Sequence, residues 1–182
     1  LRMAKSLSQQ YHIVIANPPY MSSNGMNSLL KKWITQNYEA TKSDLFSTFI
    51  ARNLSLTLPK GQLGFMSPYV WMFINSHEQL RRHIIREKTI TSLIQLEYSG
   101  FDGATVPICA FTIENSKKPQ FRGGYIKLSD FRGSSNQAPK ALEAIKNKDC
   151  SWFYRTTADD LQKVPSSLIA YWASDTVFSL FS

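Results

Sequence analysis

The sequence predicts an α/β fold whose sheet is closed by an antiparallel pair of strands, and three observations predict it. The apolar run His12-Ile13-Val14-Ile15-Ala16 stops at Pro18-Pro19, as a buried strand ending in a rigid loop does, because proline withdraws ladder donors and fixes φ. Segments with apolar residues three and four apart alternate with such short apolar runs. The runs Thr91 to Leu96 and Pro107 to Ile113 are joined by a glycine-bearing loop, Glu97 to Ala104, and read as an antiparallel pair.

The elements follow in order. Residues 1–10 are polar and read as a connector into the first strand or as the end of an earlier helix. After Tyr20, the segment Met21 to Gly25 is turn-forming, either a mobile loop that closes over a substrate or an ordinary surface turn. From Met26 to Tyr38, Leu29/Trp33 and Leu30/Ile34 fall four apart, the spacing of one helical face, and the helix is expected to pack on the sheet. Ser43-Asp44 opens a second helix through Leu45, Phe46, Phe49, Ile50, Leu54 and Leu58. Pro59-Lys60-Gly61 ends it, and Leu63 to Met66 is the next strand. Asn75-Ser76 caps a helix through Leu80, Ile84 and Ile85, with Gln79 completing a capping box. Beyond Pro119, Gly124 to Leu128 reads as a strand, Phe131 to Gln137 as a loop and Pro139 to Lys148 as a helix. Trp152 to Arg155 reads as a short strand, and Thr157 with Asp160 forms a capping box on a brief helix.

Composition narrows the function. With 182 residues, 43% hydrophobic, the chain suits one sizeable domain or part of a larger one. No apolar run reaches the length of a membrane span, and Arg2, Lys5, Gln9 and Gln10 interrupt any signal-peptide core, so a cytoplasmic protein without membrane partners is expected. Cys109 and Cys150 lack CxxC spacing and His12, His77 and His83 lack metal spacing, so neither a zinc site nor a disulfide framework is expected. The net charge of +8 fits a polyanionic partner. Its local cluster, Arg81, Arg82, His83, Arg86 and Lys88, is either a set of phosphate contacts or a solvated helix face.

The chemistry concentrates at Asn17-Pro18-Pro19-Tyr20. In open α/β sheets, ligands bind at the carboxyl ends of strands. An Asn ahead of Pro is held extended, and the prolines, lacking N–H, leave their carbonyls free as acceptors. Tyr20 adds a flat face. Two acceptors beside an aromatic plate suit a planar ring bearing an exocyclic amine.

At this loop the chain resembles the amino-group methyltransferases that use S-adenosylmethionine, and among them the N6-adenine DNA methyltransferases, whose Asn/Asp-Pro-Pro-aromatic signature follows the fourth strand. The resemblance implies a Rossmann-like class I methyltransferase sheet, of which this chain is the C-terminal half. It implies that the Asn17 side chain and the Pro18 carbonyl accept the two hydrogens of the target amine, with Pro19 completing the loop and Tyr20 stacking on a base flipped from double-stranded DNA. Acceptors placed for a localised lone pair raise the nucleophilicity of an aniline-like nitrogen as the transition state forms. Asp44-Leu45-Phe46, then Ser67-Pro68 with Trp71, resemble the downstream part of the same family. By that resemblance Asn17, Asp44 and Phe46 border the cofactor, while Pro68, Trp71 and a second aromatic shape the base pocket. Phe101, with Tyr98 behind it, is the candidate for that aromatic, or else a loop ring folded into the core. The segment Val164 to Asp175 resembles the connector to a target-recognition domain in large enzymes of the type IIG and phage-exclusion (BREX, PglX-like) kind, except that Ser166 and Leu168 stand where Gly and Pro are usual.

The expected organisation is therefore a catalytic half-domain over residues 1–118 and a mixed connector over 119–182. The glycine-rich cofactor loop of this family precedes the fourth strand, so the chain is expected to be a fragment, inactive alone, of an adenine-specific enzyme acting with restriction or phage-exclusion partners. Two rivals remain at this stage: an RNA or protein-glutamine methyltransferase with the same loop, and a non-catalytic DNA-binding or assembly module.

Overall fold

A computed structural model describes residues 2–98, 100 and 106–181. Six strands form one sheet: β1 (Tyr11–Ala16), β2 (Thr57–Pro68), β3 (Thr89–Gln95), β4 (Ile108–Glu114), β5 (Gly123–Lys127) and β6 (Phe153–Thr156), in the spatial order β1-β2-β4-β3-β5-β6. β1 pairs parallel with β2, and β3 with β5, while β4 runs antiparallel between β2 and β3. β6 lies antiparallel on β5 at the far edge. The expected antiparallel pair is thus β3 and β4, and β1, β2, β3 and β5 all point the same way.

The α-helices are α1 (Arg2–Ser8), α2 (Ser28–Asn37), α3 (Leu45–Leu56), α4 (Glu78–Glu87), α5 (Ser134–Lys146), α6 (Ala158–Lys163) and α7 (Asp175–Ser179), with short 3-10 turns at Glu39–Thr41, Tyr69–Met72, Asn75–His77 and Pro165–Ser167. One sheet face is fully packed. Leu63 and Phe65 of β2, Leu93 of β3 and Phe111 and Ile113 of β4 meet Ile50 and Leu54 of α3 and Leu80, Ile84 and Ile85 of α4 in one buried cluster. Burying each such side chain stabilises the fold by roughly 1.5–3 kcal/mol. On the opposite face α5 covers Ile126 and Leu128 through Ala144. Towards β1 that face is open, leaving a trough of about 500 Å³ lined by Ile15, Ala16, Asn17, Gly64, Met66 and Ile94.

Several expectations change in detail. The apolar run of β1 is not a buried strand: it is the sheet's edge, with Ile13 64% and Ile15 80% exposed, because only β2 pairs with it. Of the two readings of the polar start, the helical one holds, as α1. α2 packs through Ile34 beside α3 and the turn Glu39–Thr41 and not on the sheet, so Leu29 and Trp33 remain exposed. α3 stops at Leu56, and the Pro59-Lys60-Gly61 stretch belongs to β2. Tyr11 faces Thr57 but Ile13 faces Gln62, so the intervening residues bulge, with Lys60 at φ 65°. Gly61 is obligatory there, since a Cβ would lie 2.8 Å from the His12 carbonyl oxygen. α5 begins at Ser134 despite Pro139, because Gly133 (φ 89°) turns the chain and the buried Gln137 amide reaches the Phe131 and Gly133 carbonyls. The Thr157/Asp160 capping box is present as expected.

Candidate active site

The parallel pairing of β1 and β2 delivers Asn17 to the carboxyl edge of the sheet, where the chain leaves the ladder at Pro18. Asn17 is exposed, Pro18 buried, Pro19 exposed and Tyr20 half-buried. The Tyr20 hydroxyl donates to Asn17 Oδ1 at 3.1 Å. The amide oxygen therefore already faces a donor, in solvent, beside a ring. Burial raises the Tyr20 phenol above its ordinary range, so it stays protonated and able to donate.

The loop is held from below. Asp44 caps α3, its Oδ1 accepting from Phe46 N (3.2 Å) and reaching across to Met21 N (3.3 Å). Leu45 N donates to the Met21 carbonyl at 2.9 Å and Ser23 N to that of Ser43 at 3.0 Å, forming a short antiparallel bridge between Ser22 and Asp44. The turn-forming segment after Tyr20 is thus fastened to the start of α3. Burial pushes the Asp44 carboxyl up, against its backbone hydrogen bonds. Phe46 is buried and meets Tyr20 edge-on at 6.3 Å, with interplanar angle 86°. Behind it lies His77, 5.3 Å from Phe46 and with Nδ1 3.3 Å from Ser43 Oγ. Burial, with the Arg81 charge adding to it, lowers the His77 pKa to about 4, so the ring is neutral.

The structure therefore brings together Asn17, Pro18, Pro19, Tyr20, Asp44 and Phe46. Of the others, Trp71 and Pro68 lie in the interior. Trp71 is fully buried, its ring 5.1 Å from Phe111, so it is core and lines no opening. Pro68 is buried at the last rung of β2, opposite Ile108. Phe101 lies outside the described residues.

The basic cluster on α4 divides. Arg81 has no exposed surface and cannot contact phosphate. Its Nη1 donates to the Trp71 (2.9 Å) and Ile74 (2.7 Å) carbonyls, and its Nε and Nη2 to those of Ser166 and Ser167. Arg82 is exposed and paired with Glu78 at 2.7 Å. Arg86 is exposed near the end of α4, and Lys88 directly precedes Thr89, the first residue of β3. Because β3 runs parallel to β1, Lys88 sits at the opposite edge of the sheet from Asn17, about 20 Å away along seven residues of strand.

Sequence reasoning missed His77, which carries no spacing signal, and the burial of Arg81, which does. Arg81, Ile84 and Ile85 are three and four apart, so the cation shares the apolar face. Among the described residues no cluster of His, Cys, Asp or Glu could hold a metal ion, and no helix is long and apolar enough to cross a membrane.

Comparison with known proteins agrees with this geometry. Residues 3–101, more than half of the chain, match the model of the Eco57I restriction-modification methylase family. The chain is 36% identical over 177 residues to the adenine-specific methyltransferase PglX of Lacticaseibacillus casei (strain Zhang), covering 96% of this chain and 15% of that protein. It is 32% identical, over the same share of this chain and 14% of the relative, to the adenine-specific methyltransferase BrxX of Escherichia coli O9:H4 (strain HS). The chain thus spans about one seventh of the length of these curated relatives. In fold it is similar to the crystal structure of the type I restriction-modification system methyltransferase subunit from Streptococcus thermophilus, with a TM-score of 0.65 at 16% identity, over 88% of this chain and 37% of that one. With its Asn-Pro-Pro-Tyr loop at the carboxyl edge of a mixed sheet, the chain belongs to the Eco57I restriction-modification methylase family.

Proposed function

We propose that this chain supplies the target-amine pocket of an S-adenosylmethionine-dependent methyltransferase that acts on the N6 amine of an adenine flipped out of double-stranded DNA, in a restriction-modification or phage-exclusion setting. The observation that carries this reading is the exposed Asn17 Oδ1, which accepts an O–H donor at 3.1 Å beside a half-buried ring. A substrate amine is a donor of the same kind and takes the place that the Tyr20 hydroxyl holds. The Pro18 carbonyl supplies the second acceptor. Together they hold the amine with its lone pair out of conjugation, an interaction that strengthens as the nitrogen becomes tetrahedral.

Extruding the base costs a few kcal/mol in lost stacking and pairing. Stacking on Tyr20 offsets this by about 1–3 kcal/mol. Phe46 braces Tyr20 edge-on, so the ring is placed before the base arrives. The neutral Asn17 amide is no strong base, and the amine proton leaves to water after transfer. S-adenosylmethionine, when bound, supplies a methyl group on an electrophilic sulfonium. The trough of about 500 Å³ beside Ala16 and Asn17 suits part of such a ligand, with Asn17 at its mouth and Asp44 behind the loop.

The test uses the full-length protein. Adenine methylation is mapped in the genome of cells with and without the gene, and with Asn17→Ala. The expected result is a methylated motif present only with the gene, lost by at least a hundredfold in the variant while DNA affinity is kept. Near-normal methylation by Asn17→Ala removes the assigned role.

A further inference from the structure

The carboxyl edge of the sheet carries a second feature that the pocket does not use. Leaving β2, the chain places Tyr69 and Phe73 with ring centroids 6.0 Å apart, and Phe73 lies 5.6 Å from Trp172. Lys127, the last residue of β5, holds its ammonium 5.1 Å from the centre of the Trp172 ring. Tyr69 and Phe73 are half-buried and Trp172 is 38% exposed, so these rings are not enclosed as core rings are. They are nonetheless rigidly backed. Tyr171 stacks on Tyr125 at 4.9 Å, meets Trp172 edge-on and donates its hydroxyl to Gln95 Oε1 at 2.7 Å. Ile169 N donates to the Met72 carbonyl at 3.1 Å, tying the segment that bears Trp172 to the loop that bears Phe73.

Sheet order fixes the direction of the row. Tyr20 follows β1, Tyr69 and Phe73 follow β2, Trp172 sits over the end of β3, and Lys127 ends β5. From β2 to β5 are three strand spacings, about 14 Å. That is the length of roughly four stacked nucleotides of one strand. Half-exposed rings in line with a cation, next to a base pocket, have the chemistry of a single-strand track: rings take bases or sugar faces, and the ammonium takes a phosphate. Among the described residues Lys127 has no carboxylate partner, so a phosphate competes only with the indole face.

We propose that Tyr69, Phe73, Trp172 and Lys127 form a track for the DNA strand that flanks the flipped adenine, with Lys127 contacting a backbone phosphate. The track rests on the adenine-methyltransferase reading. It assigns strand contacts to the same edge as Asn17, in place of the α4 cluster that the fold turns elsewhere.

The experiment uses the full-length protein and duplexes containing its mapped methylation motif, with 5-iodouracil at successive positions within four nucleotides of the target adenine on the target strand. Irradiation is expected to cross-link Tyr69, Phe73 or Trp172, located by peptide mapping. Trp172→Ala is expected to raise KM for DNA about tenfold, with the loss falling on KM and not on kcat, while Trp172→Phe, which keeps a ring, recovers most of it. Lys127→Gln is expected to lower the slope of log affinity against log salt by about one. A purely structural role for the rings moves neither the cross-link nor the salt slope. Cross-links confined to other peptides, from a wild type that methylates, overturn the track and leave the pocket standing. A wild type that neither methylates nor binds DNA overturns both.

Discussion

Asn17 and Arg81 are polar side chains on neighbouring parts of one fold, and their circumstances are opposite. Asn17 stands in solvent at the end of β1 and takes one hydrogen bond, from Tyr20. Arg81 has no exposed surface and makes five hydrogen bonds to four backbone carbonyls. Both stood out in the sequence as ligand-binding groups. Only the one with unused acceptor capacity is available to a ligand. A side chain whose donors are all engaged by the chain's own carbonyls holds the fold together, and charge alone does not make it a phosphate site. What Arg81 joins matters to the pocket indirectly, since Trp71 and Ile74 flank Phe73 while Ser166 and Ser167 begin the segment that carries Trp172.

The contrast is sharpest in stability. Arg81→Ala takes the charged donor from the Trp71, Ile74, Ser166 and Ser167 carbonyls, of which, among the described residues, only Ile74 O keeps a backbone donor, from His77 N. Hydrogen bonds to a charged group contribute about 1.5–3 kcal/mol each before overlap, so a loss of about 4 kcal/mol is expected in denaturant unfolding. Asn17→Ala is expected to change stability by under about 0.5 kcal/mol while removing activity. Arg82→Ala, which breaks only an exposed pair with Glu78, should cost no more than about 1 kcal/mol. Equal losses for Arg81 and Arg82 variants would erase the distinction between clamp and surface charge.

A second test separates the two regions by pH. His77 lies between them, touching Phe46 on the pocket side and feeling the Arg81 charge on the other. Its pKa falls from an ordinary 6.5 to about 4 in the fold, so the unfolded chain binds the proton more readily. Stability from this group is fully present above pH 6.5 and is lost as pH falls from about 6.5 to about 4. The total is about 3 kcal/mol at 1.36 kcal/mol per unit. Asp160 and Glu114, whose pKa values are lowered, lose their contributions only as pH falls below their ordinary carboxylate range. Unfolding free energies measured from pH 7 to pH 4.5 should therefore slope downward for the native sequence and flatten for His77→Gln. A native curve with no slope above pH 5 contradicts the buried neutral ring.

The order of strands and helices was legible because periodicity and prolines mark it, as at Ala16 to Pro19 and at the Thr157/Asp160 cap. The proposed pocket could be picked out for a different reason: its candidate residues are four consecutive positions, so no tertiary knowledge was needed to name them. What the sequence hid depends on contacts far apart in the chain. Trp71 reads as a loop aromatic until β4 brings Phe111 beneath it. Lys88 reads as part of one basic patch with Arg81 until α4 turns one inward and carries the other to the far edge. The exposure of Ile13 and Ile15 was hidden too, because an apolar run reports that a strand exists and not how many neighbours it has.

A smaller effect than the loss of Arg81 lies in the backbone that it clasps. Ser166 (φ 56°) and Ser167 (φ 50°) both occupy the left-handed region, which costs a residue with a Cβ about 1–2 kcal/mol. The turn brings their carbonyls onto the guanidinium, so the strain and the clamp are one feature. Ser166→Gly relieves the steric cost but adds about 0.5–1 kcal/mol of backbone entropy to be lost on folding, leaving a net gain of about 0.5–1 kcal/mol. The gain should depend on Arg81. With Arg81→Ala the chain has no reason to keep both residues left-handed, the segment relaxes, and Ser166→Gly becomes neutral or slightly destabilising. A double-mutant cycle reads this coupling directly. If Ser166→Gly stabilises both backgrounds equally, the left-handed turn belongs to the segment itself and Arg81 merely finds it there.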